Sequence, residues 1–217
     1  MTNTTSNDLL DKQLLWRYAT KRFDPTKKIS SRDWQSLEQS LLNAPSSFGL
    51  QPWRFVTISD MDLRKKLLPH SWNQPQVVDA SHLVVLAART SVDPEYVDSF
   101  IKRICAVRGM QEADLEQYRG MMNGFVASLT APGAVENWCA NQVYLALGML
   151  LSAAAVLEID TCPIEGFSAA AYNEALGLPS KGYSAKVVAA LGYRSQDDAL
   201  AGLAKVRFPA EQIFERR

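Results

Sequence analysis

The chain has 217 residues, 47% of them apolar and 21% charged, and its formal net charge is zero. That is enough chain to bury one sizeable core, and the balanced charge argues against a nucleic-acid-binding protein, which carries a basic excess. Three cysteines, none in a C-x-x-C, give no disulfide framework, and with two histidines they form no metal-ligand pattern. They read as reduced thiols. Met1 to Asp8 has neither a basic n-region nor an apolar run, so no signal peptide is expected and a cytoplasmic enzyme is the default.

A first helix is expected from Asn7-Asp8, with Leu9, Leu10, Leu14 and Leu15 at helical spacing, ending before Pro25. Within it Arg17 and Lys21, four apart, would share a face. Ser30 to Asp33 is a capping signal, and Trp34, Leu37, Leu41 and Leu42 then mark one side of a second helix. Pro45 to Pro52 reads as a loop, Phe55 to Ile58 as a strand and Asp60 to Leu68 as a helix. Leu83 to Ala88 is a continuous apolar run, the mark of a strand covered on both faces.

Residues 93–130 carry many charges and predict two helices, opened by Asp93-Pro94, as a projecting excursion. Phe125 there reads as a core aromatic, with a pocket lid as the alternative. Ala134 to Leu157 is a strong helix, and Val143 to Leu157 contains no charge. That stretch is too short for a membrane span and so must be buried, in the core or at a subunit interface. Ile159 to Pro163 predicts a short strand, Ser168 to Leu176 a helix stopped by Gly177, and Ala185 to Leu191 a strand. The tail beyond Gly192 has few helix signals until its end. Strands and helices alternate in one domain spanning 1–217, giving an α+β or α/β class around a mixed sheet.

Three distant segments suit a phosphorylated, planar cofactor. Arg17 with Lys21, and Lys205 with Arg207, offer cations for a phosphate. Pro163-Ile164-Glu165-Gly166-Phe167 offers a Gly-containing turn with close backbone N–H groups. The carboxamides of Asn73, Gln74 and Gln76 both donate and accept, as a uracil-like ring edge requires, though a turn would use them as well. No G-x-G-x-x-G, P-loop or G-x-S-x-G is present.

Taken in order, these segments resemble the nitroreductase family. The resemblance rests on Arg17-Tyr18-Ala19-Thr20-Lys21-Arg22-Phe23, on Pro45-Ser46-Ser47 through Gln51-Pro52-Trp53, on Asn73 to Gln76 with Asp79-Ala80-Ser81-His82, on Pro163 to Phe167, and on Lys205-x-Arg207. It covers nearly the whole chain, is nearest to the NAD(P)H nitroreductase and dihydropteridine reductase branch, and is weakest over 93–130. It implies an α+β fold with a central mixed or antiparallel sheet flanked by helices, in an intertwined homodimer with FMN at each end of the interface. It further implies that Arg17, Lys205 and Arg207 hold the phosphate, with Tyr18 and Ala19 beside them. Lys21 and Asn73 would face the pyrimidine edge, with Gln76 near the ring. Pro163, Ile164, Glu165 and Gly166 would lie against the ring, the Glu165 N–H near its N5. Pro45, Ser46 and Ser47 would come from the other subunit.

Ala19 stands where many members have Ser, Gln76 where some have a second Lys, and Gly49 where some have Asn. The implied activity is ping-pong transfer of two electrons from NADPH or NADH to a small acceptor, a nitroaromatic, quinone or pteridine, with no nucleic acid, membrane or metal involved. Another flavin reaction on the same fold, or a non-enzymatic flavin-binding dimer, are the alternatives.

Overall fold

The computed structural model describes residues 5–217; Met1 to Thr4, part of the segment read for a signal peptide, lie outside the described residues. The elements are α1 (Ser6–Trp16), α2 (Ser31–Leu42), β1 (Trp53–Ile58), α3 (Met61–Leu67), α4 (Gln76–Asp79), β2 (His82–Arg89), α5 (Pro94–Arg108), α6 (Glu116–Ser128), α7 (Ala134–Val156), β3 (Asp160–Ile164), α8 (Ala169–Leu176), β4 (Tyr183–Gly192) and α9 (Ala210–Ile213).

The capping chemistry places the helix starts. Thr5 caps α1 in a reciprocal box with Asp8, Ser30 accepts from the Asp33 N–H, Asp60 accepts from Asp62 and Leu63, and Ser168 accepts from Ala171. Each satisfies an N–H that the first helical turn leaves free. Gly177 ends α8 in the left-handed conformation, which costs a residue without Cβ nothing.

Four strands form one antiparallel sheet in the order β1-β2-β4-β3. β2 lies inside it and its apolar run alternates cleanly. Val84, Leu86 and Ala88 face a core shared with α2, α5, α6 and α7, whereas Leu83, Val85 and Ala87 face a second core with Leu67, Val77 and Tyr172. The sheet is thus covered on both faces, as the unbroken apolar run required. Between Leu86 and Ala87 the pairing with β4 slips by one residue, Leu86 opposing Val187 and Ala87 opposing Ala185. The extra residue, Lys186, pairs with Glu136 on α7.

Two expectations are corrected here, and one is qualified. α1 stops at Trp16, and Arg17 is already extended (φ −68°, ψ 139°), so Arg17 and Lys21 do not share a helix face. The α1 leucines Leu9, Leu10, Leu14 and Leu15 are exposed within this chain, while Gln13 is buried. The stripe is real, but the described residues of the same chain cover it only in part. Residues 93–130 do form two helices, yet Val97, Ile101, Ile104, Leu115 and Met122 are buried in the main core, so the segment is part of the body of the fold. Phe125 packs between Phe48 and Trp138, ring centroids 5.4 Å from each.

At 23 residues α7 is long and apolar enough to cross a membrane by length and composition, so shortness does not decide the matter. Packing does. Cys139, Val143, Ala146, Leu150 and Ala154 are buried against the sheet, and Tyr144, Leu145 and Met149 emerge on the other side.

Candidate functional site: a cationic cavity and the turn beside it

The path after α1 is set by buried polar groups. Ala19 makes a parallel bridge to Thr161 at the β3 edge, and the Thr20 N–H donates to the Thr161 carbonyl at 3.1 Å. Asp160, buried at the head of β3, accepts from the Arg194 backbone N–H at 2.8 Å and from its Nε at 2.7 Å. The Arg194 guanidinium also lies over the rings of Trp16 and Tyr18, 4.3 and 4.6 Å from their centroids. Asp198 is 5% exposed. Its carboxylate accepts from the backbone N–H groups of Lys21 (2.7 Å), Arg22 (3.1 Å) and Leu200 (2.9 Å). Burial alone would raise the Asp198 carboxyl, but those N–H donors outweigh it and hold the group below the usual carboxylate range.

These ties close a cavity of about 520 Å³ whose walls include Arg17, Tyr18, Ala19, Lys21, Arg194, Lys205 and Arg207. No carboxylate is among its lining residues. The Lys205 ammonium donates to the carbonyls of Leu14 and Arg17 at the C-terminal end of α1, where the helix dipole favours a cation. Burial lowers the Arg17 guanidinium, and the Arg207 charge adds to it. Lys205 is likewise lowered by burial and then by Arg17 and Arg207. Arg17 Nε is buried with no hydrogen-bond partner. Cations that depress one another around an unpaired buried donor are a combination that could hold a multivalent anion.

Lys21 links this cavity to the turn, its Nζ lying 3.8 Å from the Cys162 sulfur. Gln76 is buried and approaches the same sulfur with Nε2 at 3.7 Å, while its Oε1 has no partner. Burial raises the Cys162 thiol, and Lys21 only partly opposes that, so the group stays a thiol. Beyond it a cavity of about 310 Å³ is lined by Tyr144, Leu147, Pro163, Glu165 and Val187.

The turn's shape is fixed from several directions. The Ile164 side chain is buried in the second core, so only its backbone is available to a ligand. Gln74 Nε2 donates to the Gly166 carbonyl at 2.9 Å. A Cβ on Gly166 would lie 2.6 Å from the indole of Trp72, so the close approach of that ring requires glycine. Asn73 is exposed on a left-handed residue (φ 53°).

Pro45, Ser46, Ser47, Asn73 and Gln76 line neither cavity. Ser46 Oγ instead accepts from the Gln51 N–H at 2.9 Å, and the Ser47 N–H donates to the buried Gln142 on α7 at 2.8 Å. The structure therefore gathers the two ends of the chain into one cavity, which meets the strand leading to the 163–166 turn through Lys21 at Cys162. Pro163 and Glu165 line the separate smaller cavity, Ile164 and Gly166 line neither, and the Pro45–Ser47 loop of the same chain is at neither. Sequence reasoning missed Asp160, Asp198 and Tyr144. A carboxylate heading the apolar strand at Asp160 was the one signal on offer, because a buried acid needs a partner.

The nitroreductase family model matches residues 14–193. The chain belongs to the nitroreductase family. A Staphylococcus haemolyticus (strain JCSC1435) protein, whose name provisionally assigns NAD(P)H nitroreductase activity, is 35% identical over 210 residues, covering 92% of this chain and 93% of its own. Among solved structures, a Bacillus subtilis protein, ydfN, named provisionally as a nitroreductase, superposes with a TM-score of 0.84 at 18% identity, covering 95% of this chain and 98% of that one. An Exiguobacterium sibiricum 255-15 protein, similarly named and in complex with FMN, superposes at 0.80 with 23% identity over the full length of both chains. The nitroreductase fold thus confirms the α+β reading with an antiparallel sheet.

Proposed function

We propose that this nitroreductase-family chain is an FMN-dependent NAD(P)H oxidoreductase that passes two electrons, by a ping-pong mechanism, to nitroaromatic, quinone or pteridine-type acceptors. The observation that carries the reading is the convergence of Arg17, Lys205 and Arg207 on one cavity that no carboxylate lines. FMN ends in a phosphate dianion, and the unpartnered Arg17 Nε is the donor such a group would satisfy.

When bound, FMN supplies the two-electron chemistry. The chain's residues bind and orient. Arg17, Lys205 and Arg207 hold the phosphate, with Tyr18 and Ala19 forming the wall beside it. Lys21 reaches from the same cavity toward Cys162 and places a positive charge where negative charge accumulates on reduction, which favours two-electron over one-electron transfer. Asn73 serves the polar ring edge, and Gln76 stands near the ring with a buried Oε1 that no protein group satisfies. The backbone of Pro163 to Gly166 forms the wall against the ring.

The working unit is a homodimer. Leu9, Leu10, Leu14 and Leu15 on α1, Tyr144, Leu145 and Met149 on α7, and Val206, Phe208, Ile213 and Phe214 in the tail are all exposed, apolar surface of the kind an interface uses. A second copy would cover it and bring Pro45, Ser46 and Ser47 to the site. Three free cysteines, two of them buried, suit the reducing cytoplasm.

The deciding test is the visible absorption spectrum of the purified protein, followed by anaerobic addition of NADPH and of NADH. A flavin spectrum bleached by either donor is expected, and the faster donor is the preferred one. A colourless protein that FMN cannot reconstitute overturns the proposal.

A further inference from the structure

The Glu165 carboxylate has one side-chain partner among the described residues, and it comes from another layer of the fold. Tyr144, on α7, donates its hydroxyl to Glu165 Oε1. Both residues line the cavity that Pro163 shares. No lysine or arginine lines that cavity, and no cation among the described residues pairs with Glu165. The far end of the turn is held differently, by Gln74 on the Gly166 carbonyl and by the Ser168 N–H on the His70 carbonyl at 2.7 Å. Tyr144 therefore anchors the Glu165 end, and its hydroxyl is the group that meets the negative charge there.

We infer that Tyr144 is a positioning residue for the reaction proposed above: through its hydrogen bond to Glu165 it fixes the Glu165–Gly166 end of the turn and offsets the negative charge that the turn carries. The inference rests on that proposed function. Burial, with the Glu165 hydrogen bond second, pushes the Tyr144 hydroxyl up to about 12, so it remains a protonated donor throughout any ordinary assay. A carboxylate deprived of this donor opposes added negative charge more strongly. Reduction of a bound flavin adds such charge, so loss of the Tyr144 hydroxyl should disfavour the reduced form in particular.

The experiment compares the wild type, Tyr144→Phe, Glu165→Gln and the double variant, all loaded with FMN. It measures the dissociation constant of oxidised FMN and the two-electron midpoint potential. Tyr144 is partly exposed and Phe keeps its ring, so folding is preserved, and far-UV circular dichroism checks it. Tyr144→Phe should weaken reduced relative to oxidised FMN by about tenfold, a fall in potential of about 30 mV for a two-electron couple. Glu165→Gln should move the potential the other way, and Tyr144→Phe should add nothing in that background. A merely structural role for Tyr144 would weaken both redox forms equally and leave the potential unmoved, and that result overturns the inference. So does an undiminished shift in the Glu165→Gln background. If the wild type itself binds no FMN, the proposed function fails, which is distinguishable because it shows before any variant is compared.

Discussion

Asp198→Asn tests the idea that a single buried carboxylate assembles the cationic cavity. In the wild type one carboxylate oxygen accepts from both Lys21 and Arg22, and the other from Leu200. Asparagine can keep one acceptor oxygen, so Leu200 retains its bond, while an NH2 group confronts two N–H donors. Hydrogen bonds to a charged group are worth about 1.5–3 kcal/mol each. Losing two at the lower figure costs about 3 kcal/mol, and at roughly 2–4 °C per kcal/mol for a chain of this size Tm should fall by about 6–12 °C. Leu200 begins the segment that carries Lys205 and Arg207 to Arg17, so FMN affinity should fall as well, by about tenfold if one phosphate contact is lost. Thermal unfolding of the apo protein and fluorescence titration with FMN measure the two effects.

The effect has a pH signature. The Asp198 carboxyl is held below its usual range, so its stabilisation is fully present above the unfolded carboxylate value of about 3.9 and is lost only as pH falls through the still lower folded value. The Tm gap between wild type and Asp198→Asn should thus be constant from neutral pH down to about 5 and close only in stronger acid. An unchanged Tm and an unchanged FMN affinity would together refute the assembly role.

Other expectations follow from single contacts. Arg17→Met should weaken FMN by about 10- to 100-fold through loss of a charge-assisted bond without lowering the apo Tm, because the half-buried guanidinium is repelled by Arg207 and Lys205; a fall in apo Tm like that of a core variant would contradict this. Gly166→Ala should collide with the Trp72 ring, and because that ring is mostly exposed and can swing aside the loss should be about 1 kcal/mol or less; Trp72→Ala in the same chain should recover most of it in a double-mutant cycle. His82 is stacked on Trp34, centroids 3.9 Å apart. Burial, then the charges of Arg64 and Lys28, pushes it down to about 4. A depressed histidine binds its proton more readily when unfolded, so its stabilisation is present above pH of about 6.5 and declines toward pH of about 4, by at most about 1.4 kcal/mol per pH unit. His82→Phe should flatten the Tm profile over that window, and an unaltered slope would show that another group is responsible.

The sequence by itself determined the elements and much of the cofactor vocabulary. Ser30, Asp60, Ser168 and Gly177 announced helix ends through chemistry that acts within four residues. The apolar run at Leu83 to Ala88 announced a doubly covered strand because alternate side chains fill two cores. Arg17, Lys21, the Pro163 to Gly166 turn, Lys205 and Arg207 carried a family resemblance that the family match bears out.

Only the tertiary structure decided how those pieces meet. A helix read through Arg17 and Lys21 ends at Trp16, because Thr20 pairs with Thr161 and Asp198 captures the Lys21 and Arg22 amides. Such pairings join residues some 140 to 180 positions apart, and no local periodicity encodes them. The Tyr144–Glu165 contact was hidden for the same reason. The exposed α1 leucines show the converse limit: the pattern of a buried face is legible in the sequence, but the surface that covers it belongs to whatever the chain packs against.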